Sequence, residues 1–376
     1  MEFLRRTWAE IDISALRHNF SVLKNLSKNS EITCVVKANS YGHDDNIVVP
    51  ALNEAGCKRF AVSNIEEAVH IRNLGVDKPI LILGYTPVSM VEELYKFNIS
   101  QCVFSADYAK ELSRFAAEKG VTVKIHIKLD TGMGRLGFDC RSDELAEIDS
   151  AIESAKLPNL ELEGIFTHFA SSDRSDEEED GFTDLQYSRF DKAIKLMNAA
   201  GLDPEVCHCR NSAAMLKDKD KELDLSRAGI CLYGLTPSTA LNIKEDLIPV
   251  MTFKSIVSMV KKIRRGDTVS YGRTFKAHKD MTVATVSAGY ADGYPRLLSN
   301  KGYVLINGQK ANILGRVCMD QFVVDVSDID GVATDTEVIL FGKDLPVEEI
   351  AATCGTINYE IICGISPRVP RIAINK

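Results

Sequence analysis

Cys34-Val35-Val36-Lys37-Ala38-Asn39-Ser40-Tyr41-Gly42-His43 is the stretch around which the rest of the chain falls into place. A β-prone apolar run, Ile32 to Val36, stops at a lysine, and small residues, Tyr41 and Gly42 then lead into a helix-forming segment. Lys37 is thereby placed at the carboxyl end of a buried strand, where α/β barrels carry their chemistry. Apolar surroundings strip water from an ammonium group, lower its pKa and free the neutral amine to form a Schiff base. Most strand-end lysines simply lie along the surface with the head in water, so the case for Lys37 rests on what surrounds it.

Working outward, strand-like runs recur at Ile32–Val36, Arg59–Val62, Pro79–Leu83, Gln101–Phe104, Val121–Leu129, Leu162–Thr167, Val206–Cys209 and Leu223–Ile230. Amphipathic helical stretches such as Asp107–Lys119 and Asp184–Ala200 separate most of them. Strand and helix alternating eight times predicts an α/β fold, a (β/α)8 TIM-type barrel over residues 1–240, with right-handed crossovers gathering the strand ends at one rim. Ahead of it, Ser14 is expected to cap a helix carrying Leu16, Phe20 and Leu23 at helical spacing. The acidic tract Asp173–Asp184 reads as a solvated loop before a helix capped by Thr183 or Asp184. From about Leu241 the texture changes to long β-prone runs with glycine turns: Val250–Val260, Thr282–Ser287, Gly302–Ile306, Asn312–Leu314, Phe322–Val326 and Val338–Phe341. Residues 241–376 are therefore expected to form a mostly-β second domain.

The chain's 376 residues leave room for both parts, because a barrel needs about 250. Its formal charge of −8 speaks against a nucleic-acid partner. The start, Met1-Glu2-Phe3-Leu4-Arg5-Arg6, has no apolar run long enough for a leader or a membrane span, so a cytoplasmic protein is expected. The ten cysteines are scattered; Cys207 and Cys209 flank His208 with a spacing that suits neither zinc nor a redox dithiol, and no metal is expected.

Several polar residues and glycines lie just past the strand-like runs, and a barrel would bring them together. Arg135 follows the fifth run on the glycine-rich Asp130-Thr131-Gly132-Met133-Gly134-Arg135-Leu136-Gly137. Lys128 lies upstream on that run, on the same face as Lys124 and His126. His168 ends the sixth run; Asn211 and Ser212 follow the seventh; Arg227 precedes Gly229 and Ile230 at the eighth. Backbone amides and hydroxyls after the last two strands of a barrel suit a phosphate.

The octet around Arg135 and the segment Val35 to His43 together resemble the alanine racemase family, whose pyridoxal-phosphate attachment signature places a lysine before a small residue, asparagine, a small residue and Tyr-Gly-His. Ser40 and Asp44 depart from the usual pattern without touching a reactive group. The resemblance runs from Thr7 to Arg371 and includes Val269-Ser270-Tyr271-Gly272-Arg273-Thr274, Gly289 to Arg296, Val317-Cys318-Met319-Asp320 and Asn358-Tyr359-Glu360. It implies a homodimer with shared active sites that interconverts L- and D-alanine for peptidoglycan, with Lys37 and Tyr271 as opposed bases for the D- and L-isomers. It further implies that Tyr41, Ser212, Gly229, Ile230 and Tyr359 hold the cofactor phosphate, and that Arg135 meets the phenolic oxygen. Arg227 would face the pyridine nitrogen, where an arginine keeps the ring a weak electron sink. His168 would link Tyr271 to Arg227, and Lys128 matches a lysine that many members carry as a carbamate. Met319 with Arg135 would meet substrate, and Tyr290 and Asp320 would line the entrance. A serine or broader amino-acid racemase is the nearest alternative. A pyridoxal-phosphate homeostasis protein would need neither Tyr271 nor a β domain, and a decarboxylase would carry a carboxylate in place of Arg227.

Overall fold

The computed structural model describes residues 5–175, 178, 180–243 and 245–376. Residues 1–4, part of the start from which no leader was expected, and 176, 177 and 179 of the acidic tract lie outside the described residues. Two compact units divide the chain: Arg17–Ser40 with Val48–Leu247, and Met1–Leu16 with Tyr41–Ile47 and Ile248–Lys376.

In the first unit, strands Glu31–Val35, Arg59–Val62, Ile80–Ile82, Ile99–Val103, Val123–Asp130, Leu160–Phe166, Val206–His208 and Leu225–Ala228 pair in that order. Every pairing is parallel, and Leu225 opposite Glu31 closes the ring. This is the expected eight-stranded barrel. Its strands are apolar on the face that the helices cover: Val123, Ile125, Ile127 and Leu129 are all buried. The alternating face of the same strand carries His126 and Lys128, also buried. Phe138–Asp139 doubles back to pair parallel with Leu129–Asp130. That return needs Gly137, where φ is +132° and a Cβ would lie 2.5 Å from the Asp130 amide nitrogen.

Two capping expectations are corrected. The first helix, Ile13–Leu26, is capped by Asp12, whose Oδ1 accepts from Ala15 N at 3.0 Å and from Ser14 Oγ at 2.7 Å; a carboxylate outcompetes the hydroxyl as acceptor. Helix Phe182–Ala199 starts after Gly181 in a left-handed conformation. Thr183 instead turns inward toward Ser171 Oγ at 3.4 Å, and Asp184 pairs with Lys221 at 2.7 Å.

The second unit is mostly β. Thr7–Asp12, Met251–Ile263, Met281–Val286, Tyr303–Ile306, Gln309–Leu314, Phe322–Asp325, Glu337–Phe341 and Arg371–Ile374 form one sheet. The long strand Met251–Ile263 pairs through its first half with Thr7–Asp12 and Glu337–Phe341, and through its second half with Met281–Val286. Register shifts after Phe253 and Val257 let it bend between those partners. Ile263, Val269, Ala277, Met281, Val283 and Leu314 pack into a core beneath the bend. Helices Val347–Cys354 and Asn358–Cys363 also belong to this unit. Among the described residues no helix is long and apolar enough to cross a membrane.

Candidate active site

Lys37 begins a turn of unusual hand. Ala38, Asn39 and Ser40 have φ of 53–55° and ψ of 48–53°, and Tyr41 has φ of 54°. Left-handed helix costs L-residues about 1–2 kcal/mol each, so this turn must be held by its surroundings. At its base Val36 N donates to Ala61 O at 3.0 Å, and Ser40 N closes on Val36 O at 3.0 Å. From the side, Glu67 receives Ala38 N at 2.8 Å on Oε1 and Ser63 N at 2.7 Å on Oε2. Glu67 is itself seated in the first turn of helix Ile65–Asn73, where Asn64 caps its amide at 2.9 Å.

Arg227 is buried at the end of the last barrel strand. Its Nη1 donates to His208 Nδ1 at 2.8 Å; its Nη2 faces Thr167 O at 2.9 Å, Cys209 O at 2.9 Å and His168 Nδ1 at 3.2 Å. Both terminal nitrogens are therefore occupied, and Nε–H has no acceptor among the described residues. Burial lowers the guanidinium to about 10, which still leaves it cationic at neutral pH. His168 is pushed well below the ordinary imidazole range by burial first and then by Arg227, Lys128, Arg135 and Lys37. One neutral histidine thus senses four cationic side chains from three strand ends, Lys128 and Arg135 sharing the fifth. Since Arg227 can only donate, His168 Nδ1 accepts and its proton sits on Nε2. Lys128, buried with Nζ 5.5 Å from the centre of the Phe166 ring, is lowered by burial and by Arg135 and Arg227.

On the neighbouring strand ends, Asn211 caps helix Ser212–Lys217, with Oδ1 accepting from Ala214 N and Ser172 Oγ, each at 3.0 Å. Ser212 Oγ accepts from Gly229 N at 2.8 Å, which ties the seventh and eighth strand ends together ahead of Ile230.

The remaining expected residues fall in the β unit. Tyr41 and Tyr359 face each other with ring centroids 6.1 Å apart. Gly42 beside them has φ of +82°, and a Cβ there would meet Ile362 O at 2.3 Å. Tyr271 is 73% exposed, on a short turn that Ser270 anchors by donating to Arg316 O at 2.7 Å. Tyr290 and Met319 are exposed on adjoining segments, joined where Ala291 N donates to Met319 O at 3.0 Å. Asp320 is held by Arg368 at 2.9 Å; Arg368 also bonds buried Asp292 at 2.7 Å, and Asp292 pairs with Arg6. Sequence reasoning singled out neither Arg368 nor Asp292, nor Glu67 and Glu163, and it met His208 only between two cysteines without giving it a role; only the polar alternation of the fifth strand, which includes His126, hinted at any of this.

A lysine, three further cations and an arginine N–H without a protein acceptor gather at the rim of a (β/α)8 barrel, the donor set of an enzyme that binds an anionic cofactor. The family described as alanine racemase, N-terminal domain, matches residues 11–237, and the alanine racemase C-terminal domain matches residues 250–373. The chain is 45% identical over 379 residues to the alanine racemase of Desulfovibrio desulfuricans, covering 100% of both chains. It is 43% identical to alanine racemase 1 of Clostridium acetobutylicum, over 99% of this chain and 96% of that one. The solved alanine racemase of Clostridium difficile 630 superposes with a TM-score of 0.92 at 36% identity, covering 100% of this chain and 98% of that one. The Bacillus anthracis alanine racemase with bound L-Ala-P gives 0.91 at 36% identity, covering 100% and 97%. The chain belongs to the alanine racemase family, isomerases that depend on pyridoxal phosphate.

Proposed function

We propose that this protein interconverts L- and D-alanine with pyridoxal phosphate attached at Lys37, and so supplies D-alanine for peptidoglycan in the cytoplasm. The observation that carries the reading is the convergence of Lys37, Lys128, Arg135 and Arg227 on His168, with Arg227 Nε–H left without a protein acceptor. That donor set suits a cofactor bearing a phosphate, a phenolic oxygen and a ring nitrogen able to accept a hydrogen bond. When bound, the group takes up electron density from the substrate Cα–H bond.

The chain's residues then divide the work. Arg227 Nε would face the ring nitrogen of the bound group and donate to it without releasing the proton, which would keep the ring a weak sink and favour simple loss and return of a proton at Cα. Arg135 would orient the phenolic oxygen, and Lys128, as an amine or as its carbamate, would bear on Arg135. Asn211 fixes the helix start that presents Ser212, and Ser212, Gly229 and Ile230 receive the phosphate together with Tyr41 and Tyr359. Lys37 Nζ and Tyr271 Oη serve as the bases on opposite faces of Cα, Lys37 for the D-isomer and Tyr271 for the L-isomer. Met319 with Arg135 meets the substrate, while Tyr290 and Asp320 line its way in. In a homodimer, Tyr271 is supplied by the other subunit, a placement supported by its exposure in the single chain.

Chiral chromatography of the products from a panel of small amino acids, with pyridoxal phosphate added, tests the reading. Racemisation of alanine well ahead of serine is expected; decarboxylation, or no turnover of alanine, overturns it.

A further inference from the structure

Three successive hydrogen bonds run from Arg227 to Glu163 inside the barrel. Arg227 Nη1 meets His208 Nδ1 at 2.8 Å, His208 Nε2 meets His126 Nδ1 at 3.0 Å, and His126 Nε2 meets Glu163 Oε2 at 2.9 Å. The two ends impose a direction. A guanidinium only donates and a carboxylate only accepts. His208 Nδ1 must therefore be bare and its proton on Nε2; His126 Nδ1 must in turn be bare and its proton on Nε2, where Glu163 takes it. Only with both rings neutral does each of the three bonds contain one hydrogen. Burial, followed by Arg227, holds His208 well below the ordinary imidazole range, in keeping with that state.

The rings are built in rather than merely accommodated. His208 stacks on Phe166 with centroids 4.8 Å apart and planes 2° from parallel. Gly164 leaves the room that His126 occupies, since a Cβ there would lie 2.4 Å from His126 Nδ1. Beyond the chain's end, Glu163 accepts from Ser100 Oγ, and Arg59 lies 3.5 Å from its other oxygen. Burial alone would raise the carboxyl, but the hydrogen bonds from His126 and Ser100 and the charge of Arg59 hold it below the ordinary carboxylate range. Glu163 is thus a permanent acceptor at neutral pH.

We propose that Glu163 is a positioning residue for racemisation: by accepting from His126 it fixes the tautomers of both histidines, and so locks Arg227 with Nε–H toward the cofactor ring. Without that acceptor His126 is free to carry its proton on Nδ1. His208 then takes its own on Nδ1, which sets a donor against Arg227 Nη1 and turns the guanidinium. The last step rests on the cofactor placement proposed above; the tautomer chain does not.

The experiment is nitrogen-15 NMR of histidine-labelled protein, with and without pyridoxal phosphate, on wild type, Glu163→Leu and Glu163→Gln. In wild type at pH 7.5, His126 and His208 are expected with bare Nδ1 and protonated Nε2. Glu163→Leu should mix the tautomers of both rings and lower kcat about tenfold with KM within about twofold, as for a misplaced catalytic group. Glu163→Gln, whose amide oxygen still accepts, should restore the wild-type ring pattern and recover most of that loss. A reversed or doubly protonated ring in wild type overturns the proposal, as does a folded Glu163→Leu with unchanged tautomers and kcat. So does Glu163→Gln with restored rings but a kcat near one tenth of wild type. If Glu163→Leu does not fold, the wild-type spectrum and the Gln variant decide. A correct ring pattern in a protein that does not take up cofactor at Lys37 refutes the functional reading and leaves the tautomer chain standing.

Discussion

The Glu67 carboxylate accepts the amide of Ala38 at 2.8 Å, one residue past Lys37, and by its other oxygen ties that turn to Ser63. A helix side chain thus holds the backbone that aims the lysine. Glu67→Ala should cost about 1 kcal/mol, because the released amides are partly wet. The effect on kcat should be larger, about tenfold, since the turn would no longer fix where Nζ lies. Thermal melting and steady-state kinetics on one preparation separate the two. Equal, small effects on both would mean that the turn holds without Glu67.

Borohydride added to the cofactor-loaded protein should remove its visible absorption and leave a reduced pyridoxyl label on Lys37, located by peptide mass spectrometry. Lys128 is the instructive control. It lies near the same cations, with an amine that burial has made less basic. A label found there instead would reassign the attachment point.

Stability should fall in mild acid, and the sign follows from His168 and His208. Both are held well below 6.5 in the folded protein, so the unfolded chain binds protons that the native state refuses. Above about pH 6.5 neither contributes a slope; below it each removes about 1.4 kcal/mol per pH unit, or about 3 kcal/mol for the pair at pH 5.5. Glu163, whose carboxyl is lowered in the folded protein, adds to the loss only further down, as the pH falls below its unfolded value near 4.5. Urea midpoints at pH 7.5, 6.5 and 5.5 measure this, and a flat profile across that range would contradict the buried neutral rings.

Lys37→Ala and Tyr271→Phe should each be nearly inactive. After subunit exchange, half of the dimers would be hybrids with one intact site, so activity should return to about one quarter of wild type. Exchange proven by mass spectrometry without recovered activity would place Tyr271 in its own chain's site or outside catalysis.

How much of this was legible beforehand depended on range. The eight barrel strands were visible because each is a short apolar run between helical segments, and Lys37, Arg135, His168 and Arg227 were visible because they end or follow such runs. The strand Thr7–Asp12 was not, since its partners are Met251–Ser255 and Arg371–Ile374, far along the chain. Glu67 follows Glu66 at a helix start, where acids are ordinary company for the helix dipole, and nothing local marks the one that reaches across. Glu163 and His126 sit mid-strand and His208 ends a strand of three residues, and their chemistry exists only once three strands are laid side by side.

At the turn after Lys37, endurance and turnover pull in opposite directions. Glycine would rest comfortably at Ala38, Asn39 or Ser40, yet none of the three is glycine. Relaxing them would give a more heat-tolerant protein with a lysine free to wander. Selection for melting temperature alone would therefore be drawn to this turn early and would wear the catalyst down there, whereas selection for turnover keeps the β-carbons and leaves the chain slightly ill at ease.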